Sequence, residues 1–259
     1  MTASVQFDLT DDTVIVTGGA GLVGRAVCTA LDQRGANVVI GDVDEEAGRS
    51  LASSLEEAMY VRLDVTDPDS IVSACDGAEA TYGHIDGLVN TAYPKTEDYG
   101  DYFEDVRLGT WNRHVSDHLG GYFATCKEVA ARMVADGTAG SIVNYGSIYG
   151  VQAPDFSIYD GTEMTSPVEY SAIKGGILNF TRYLASYLGP DGICVNAVSP
   201  GGIYNGQDET FVDNYEEEVP LGRMADPLDV MGPTIFLLSD ASAYVTGHNL
   251  VVDGGWTIQ

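Results

Sequence analysis

Residues 13–42, TVIVTGGAGLVGRAVCTALDQRGANVVIGD, decide the fold. A β-branched run at 13–17 leads directly into Gly18, Gly19, Gly21 and Gly24, a helical pattern over 25–33 follows, and a second apolar run at 37–42 ends on Asp42. Strand, glycine turn, helix, strand is the order in which a backbone can close on a pyrophosphate at the positive end of a helix. Gly18, Gly21 and Gly24, with Leu22 and Val23 between them, are therefore expected to bind a dinucleotide. Asp42 stands eighteen positions after Gly24. An acid there accepts from a ribose 2'-hydroxyl and repels a 2'-phosphate, and neither Gly41 nor Val43 supplies a cation. NAD is favoured over NADP on that ground. Asp42 as an ordinary strand-end turn residue is the plainer alternative.

The same alternation continues along the chain. Apolar runs at 59–63, 87–90, 141–145, 193–198 and 249–252 bring the expected strands to seven, separated by amphipathic stretches. Uninterrupted β/α alternation with right-handed crossovers gives one α/β domain over residues 1–259, a doubly wound Rossmann fold with a seven-stranded parallel sheet. Asp64 with Val65 follows the third strand, and Asn90 with Ala92 lies at the end of the fourth. Those strand ends should border the dinucleotide crevice. Asp67 and Pro68 need only a capping role. Two stretches, 148–166 and 202–218, are too irregular for simple connections, and both follow carboxyl ends of strands, where such sheets bind ligands.

The chain has 39 acidic residues against 12 basic ones, a net charge of -27, and its lysines are Lys95, Lys127 and Lys174. A surface so negative repels phosphate backbones and anionic lipid, which excludes nucleic-acid and membrane-surface binding as functions. The acid is spread along the chain, so the scarcity of lysine is read as salt adaptation, a halophilic source; an acidic mesophilic protein is the alternative. No apolar run approaches a membrane span, and MTASVQFDLTDD has neither a basic flank nor an apolar core, so a cytoplasmic location is expected. The four cysteines lack metal-ligand or disulfide spacing and read as small buried residues.

Ser166, Pro167 and Glu169 read as an N-cap, a first-turn proline and a capping-box acid opening a helix that runs to about residue 188. Tyr170 and Lys174 then lie one turn apart on one face. An ammonium beside a phenol favours the phenolate, which moves Tyr170 toward neutrality and suits it to pass a proton to a carbinol oxygen. Ser147 closes the fifth strand, where its hydroxyl could hydrogen-bond a reacting carbonyl. Tyr159 also follows Ser147, but Glu163 lies four residues on, and an acid shifts a phenol the wrong way for a base.

TGGAGLVG, Asp42, DVTD, NTAY, Ser147, YSAIK, SPGG and the terminal GHNLVVDGG together resemble the short-chain dehydrogenase/reductase superfamily over essentially the whole chain. The resemblance implies that Tyr170 is the acid/base, that Lys174 holds the nicotinamide ribose and tunes Tyr170, and that Ser147 polarises the substrate carbonyl. It further implies that Pro200, Gly201 and Ile203 line the nicotinamide. Three positions depart from the pattern: Gly21 comes one residue early, Tyr93 replaces a glycine, and His118 stands where an asparagine completes the proton relay. A histidine can also hold a relay water, so the relay is expected to be altered, with a merely structural His118 as the alternative.

Ser147 and Tyr170 lie 23 positions apart, about ten more than the resemblance implies, and the extra residues bring Tyr149, Phe156, Tyr159, Asp155, Asp160 and Glu163. Rings with scattered carboxylates suit a sugar. Several long segments are similar to flagellin-modification oxidoreductases of legionaminic-type nonulosonic sugar pathways, which implies an activated or phosphorylated amino sugar as substrate. A 3-oxoacyl or simple polyol reductase is the alternative within the superfamily, and a non-catalytic NAD-binding protein the alternative outside it. The terminal strand leaves a sheet edge to cover, and the resemblance suggests a homo-oligomer, a tetramer or dimer.

Overall fold

The β-branched runs form strands because each supplies side chains to two buried faces at once. The computed structural model describes residues 7–95 and 99–259. Residues 1–6, part of the stretch read for a leader, and residues 96–98 of AYPKTEDYG lie outside the described residues. The strands are β1 (Thr13–Thr17), β2 (Asn37–Asp42), β3 (Ala58–Arg62), β4 (Gly87–Asn90), β5 (Ser141–Tyr145), β6 (Cys194–Pro200) and β7 (Asn249–Val252). All pair in parallel, in the order β3-β2-β1-β4-β5-β6-β7. Strand order reverses between β1 and β4, so a crevice opens at the carboxyl ends of those two strands.

Side-chain alternation divides the core. Val14 and Val16 of β1 pack with Val27 and Leu31 of α1 (Leu22–Asp32) and with Ile235 and Leu238 of α8 (Met231–Leu238). Ile15, between those two valines, packs on the opposite side with Ile71 of α3 (Pro68–Tyr82) and Val129 of α5 (Gly120–Asp136). That period of two with apolar residues on both faces is what a sheet covered by two helical layers requires. Cys28, Cys75 and Cys126 are buried free thiols, and Cys194 is half-buried.

The structure shifts several boundaries. Helix α1 begins at Leu22, three residues before the expected start, because the glycine turn itself enters the helix. Strand β3 starts at Ala58, and β6 runs on to Pro200, which carries Ser199 and Pro200 into the sheet beside Val251 and Val252. The stretch 202–218 contains a nine-residue helix, α7 (Glu209–Glu217), capped by Asp208. Asp67 and Pro68 do cap and open α3, and Asp44 caps α2 (Glu45–Ala52).

The capping box at 166–169 does not form. Helix α6 (Val168–Leu188) starts after Pro167 with no side-chain cap. Glu169 turns inward, is buried, and faces His114 Nδ1 at 3.3 Å, so its carboxylate is too far inside to bond the helix start. Between α4 (Leu108–His114) and α5 the helix widens into a π turn, Val115–Leu119, that contains His118. Such turns recur at functional sites. Among the described residues no helix is long and apolar enough to cross a membrane.

One carboxylate outside the crevice carries a stability prediction. Burial, with Asp86 and Asp240 nearby and only His84 opposing, pushes Asp12 up to about 6. A folded value above the unfolded one means stability present at low pH and lost as pH rises from about 4 through about 6. Asp12→Asn is therefore expected to stabilise the protein at pH 7.5 by about 1 kcal/mol, a figure reduced for solvent screening at this half-exposed site. Thermal melts at pH 5 and 7.5 check it: the gain should shrink at the lower pH, and a gain independent of pH would contradict titration of Asp12 as its cause.

Candidate active site

The glycine turn is built by close approach. Gly18 has φ +65°, and a Cβ there would lie 2.8 Å from the Ala92 Cα, so only glycine lets the β1 and β4 ends meet. A Cβ on Gly24 would collide with the Gly18 carbonyl oxygen. Helix α1 has Gly21 as its N-cap, with no side-chain cap and no acid in its first turn. Its uncapped amides and positive end are left to an anion. Asp42 borders the turn: Oδ2 accepts from the Ala20 N–H at 2.9 Å and Oδ1 from the Asp44 N–H at 3.0 Å. The carboxylate is thus fixed at the end of β2 with lone pairs to spare.

A cleft of about 1240 Å³ runs from this turn across the strand ends. Gly18, Gly21, Leu22, Val23, Gly24, Asp42, Asp64, Val65, Ala92, Ser147, Tyr170, Lys174, Pro200, Gly201 and Ile203 all line it. Asp64 holds its own loop, accepting from the Thr66 N–H and hydroxyl at 3.0 and 2.7 Å. Asn90 and His118 do not line it. Asn90 is fully buried, and its amide ties the sheet together by accepting from Thr125 at 2.8 Å and donating to Asn144 at 3.0 Å. Its side chain supports the cleft floor instead of facing a ligand, because it points below the sheet into the α5 layer.

At the far end Ser147, Tyr170 and Lys174 come together. Ser147 Oγ accepts from the Tyr149 N–H at 3.2 Å, and Ser147 and Tyr170 both line the cleft there. Lys174 is buried, donates from Nζ to the Tyr145 carbonyl at 2.8 Å, and lies 5.6 Å from the Tyr170 ring centre. Burial pulls Lys174 down to about 7. Burial also raises Tyr170, and the neighbouring Ser147 hydroxyl opposes it only in part. The expected drop of Tyr170 toward neutrality is thus not present in the protein alone. The reason is physical: the phenol is desolvated, and the ammonium is committed to a backbone carbonyl and half-titrated at neutral pH.

His118 is buried behind this set, its ring 4.6 Å from that of Tyr93 and 5.4 Å from that of Tyr122. Lys174 Nζ lies over the same two rings, at 5.8 and 5.5 Å. Burial, then Lys174 and His114, hold His118 well below the usual imidazole range, so it is neutral. Its Nε2 has no hydrogen-bond partner among the described residues.

Of the inserted residues, Tyr149, Tyr159 and Glu163 line the cleft, and the two phenol oxygens are 3.2 Å apart. Phe156 is exposed, and Asp155 caps the short turn Phe156–Tyr159 instead of facing a ligand. Asp160 is held away by its backbone, whose carbonyl accepts from Asn214 of α7 at 3.1 Å. Tyr99 and, from the α7 region, Phe211, Tyr215 and Met224 complete the walls. Sequence reasoning passed over these four. Tyr99 sits in a stretch without period, only the length of the 202–218 segment hinted at Phe211 and Tyr215, and Met224 lies beyond that segment.

The family model described as enoyl-(acyl carrier protein) reductase matches residues 19–257. The chain belongs to the short-chain dehydrogenase/reductase superfamily. It is 36% identical over 250 residues to the post-translational flagellin modification protein A of Campylobacter coli, covering 94% of this chain and 97% of that one. It is also 36% identical over 262 residues to L-rhamnose 1-dehydrogenase (NAD(P)(+)) of Azotobacter vinelandii, covering 95% and 97%. Among solved structures, a short-chain dehydrogenase from Leptospira borgpetersenii with bound NAD+ superposes with a TM-score of 0.87 at 35% identity, covering 96% of this chain and 94% of that one. This short-chain dehydrogenase/reductase is an oxidoreductase. The glycine turn fits the nicotinamide dinucleotide of the superfamily, since Gly18, Gly21 and Gly24 line the cleft and the start of α1 at Gly21 has no side-chain cap, which leaves its amides to the pyrophosphate.

Proposed function

We propose that the protein uses NAD to interconvert a carbinol and a ketone on a sugar or activated amino sugar. The observation that carries this reading is one cleft lined at one end by the glycine turn and Asp42 and at the other by Ser147, Tyr170 and Lys174. The dinucleotide, when bound, supplies the hydride acceptor or donor at nicotinamide C4. The chain's own residues do the rest. Gly18, Gly21, Leu22, Val23 and Gly24 hold the pyrophosphate, Asp42 the ribose diol, Asp64 and Val65 the adenine side, and Ala92, Pro200, Gly201 and Ile203 the nicotinamide half. Asn90 supports that groove from beneath.

Ser147 donates a hydrogen bond to the reacting oxygen, and Tyr170 gives or takes its proton. Lys174 stabilises the phenolate form of Tyr170 as that proton moves. His118, neutral and with Nε2 unpartnered, flanks the same rings as Lys174 and suits a water-linked relay behind it. Tyrosines and Glu163 in the walls favour a hydroxyl-rich substrate over an acyl chain, which would want aliphatic walls. Asp42 favours NAD. The acidic surface fits a salt-adapted cytoplasmic enzyme, and the β7 edge fits assembly as a homo-oligomer, a tetramer or dimer.

Turnover in molar KCl with sugars, activated amino sugars, polyols and acyl ketones, each with NAD and NADP, tests the reading. Sugar-dependent turnover with kcat/KM at least about tenfold higher for NAD is expected, narrowing in Asp42→Ala. Turnover confined to acyl ketones would overturn the substrate class, and equal use of NADP would overturn the role of Asp42.

A further inference from the structure

We propose that the cleft carries an anion subsite at Lys95, so that the substrate bears a carboxylate or phosphate group that docks there while its carbinol faces Tyr170. This rests on the oxidoreductase reading and adds a charge requirement to it. Three cations line the cleft: Lys95, Arg113 and Lys174. Lys174 is buried against the Tyr145 carbonyl. Arg113 has Asp117, also at the cleft, 3.4 Å from its Nε. Lys95 is exposed, and among the described residues no carboxylate lies within ion-pair distance of it.

What holds Lys95 is a pair of rings. Its Nζ lies 5.1 Å from the centre of Tyr93 and 5.3 Å from that of Tyr99. Ring faces orient an ammonium through their quadrupole but carry no net charge, so the seat fixes the cation without neutralising it. The seat is also anchored to the chemistry, because the Tyr93 ring packs edge-on against Tyr170 with centres 5.5 Å apart. An ammonium one ring away from the proton-transferring phenol is placed to bind a charged substituent on a ring-sized substrate. In salt that screens charge over about 3 Å, direct contact is the geometry in which one lysine still selects an anion.

Calorimetric titration of the NAD-loaded protein with galactose, galacturonate and galactose 6-phosphate, at one fixed salt concentration, tests the subsite. At least one charged analogue is expected to bind about tenfold or more tightly than galactose. Lys95→Met should remove that margin and Lys95→Arg should keep it; which analogue shows it tells carboxylate from phosphate. Equal binding of all three, binding of none, or a margin that survives in Lys95→Met overturns the proposal. Turnover measured alongside separates the two readings. NAD-linked turnover of galactose with no charge margin leaves the oxidoreductase reading standing without the subsite, whereas a Lys95-dependent margin with no turnover of any sugar leaves the subsite and overturns that reading.

Discussion

Tyr170→Phe is expected to lower kcat by about 10²- to 10⁴-fold while NAD affinity stays near that of the parent protein. The substitution keeps the ring, and with it the packing against Tyr93 and Tyr149, and removes only the hydroxyl. The loss is sized by what a positioned general acid or base contributes. Binding should survive because the glycine turn and Asp42 lie at the other end of the cleft and share no hydrogen bond with that hydroxyl. Steady-state kinetics with quenching of protein fluorescence by NAD separates the two effects. A kcat within a few-fold of the parent would remove Tyr170 from the chemistry.

Lys174→Met is expected to lower activity by at least about 10²-fold and to raise stability at the same time. The gain follows from the depressed value of about 7, against about 10.5 for a free lysine. The folded state disfavours the ammonium, so the penalty is absent above the unfolded value, grows as pH falls toward the folded one, and is constant below it. At pH 7 it amounts to a few kcal/mol, partly offset by the Nζ bond to the Tyr145 carbonyl that methionine cannot make. Denaturant melts of both proteins at pH 7 and pH 10 check the sign: the advantage of the variant should be larger at pH 7. A destabilised, inactive variant would mean that Lys174 is chiefly structural, whereas lost activity with gained stability marks a site held at the expense of the fold.

The sheet was legible because parallel strands buried on both faces must be nearly continuous β-branched runs, and each stands out between polar helical stretches. The glycine turn and Asp42 were legible because their spacing is set by local backbone geometry. Ser147, Tyr170 and Lys174 came together as expected for the same reason: one ends a strand, and the others are a helical turn apart. The misses are tertiary. Glu169 carries a capping pattern but is drawn inward by His114, and Asn90 ends a strand at the crevice yet points beneath it. Nor could spacing show that Phe211 and Tyr215 of α7 fold back over the inserted tyrosines, since that contact crosses about 50 residues of chain. Tyr170 was misjudged electrostatically: its place one turn from Lys174 is visible in sequence, and the burial that raises its phenol is not.

Hydride transfer itself is tested most directly by isotope. The best substrate from the turnover panel, carrying deuterium on its carbinol carbon, is oxidised with NAD in molar KCl, and the reduced nicotinamide is analysed by mass spectrometry. Direct transfer predicts one deuterium on nicotinamide C4 per turnover, with a rate that collapses in Tyr170→Phe. Reduced nicotinamide without the label, or none formed with any carbinol in the panel, would contradict the account.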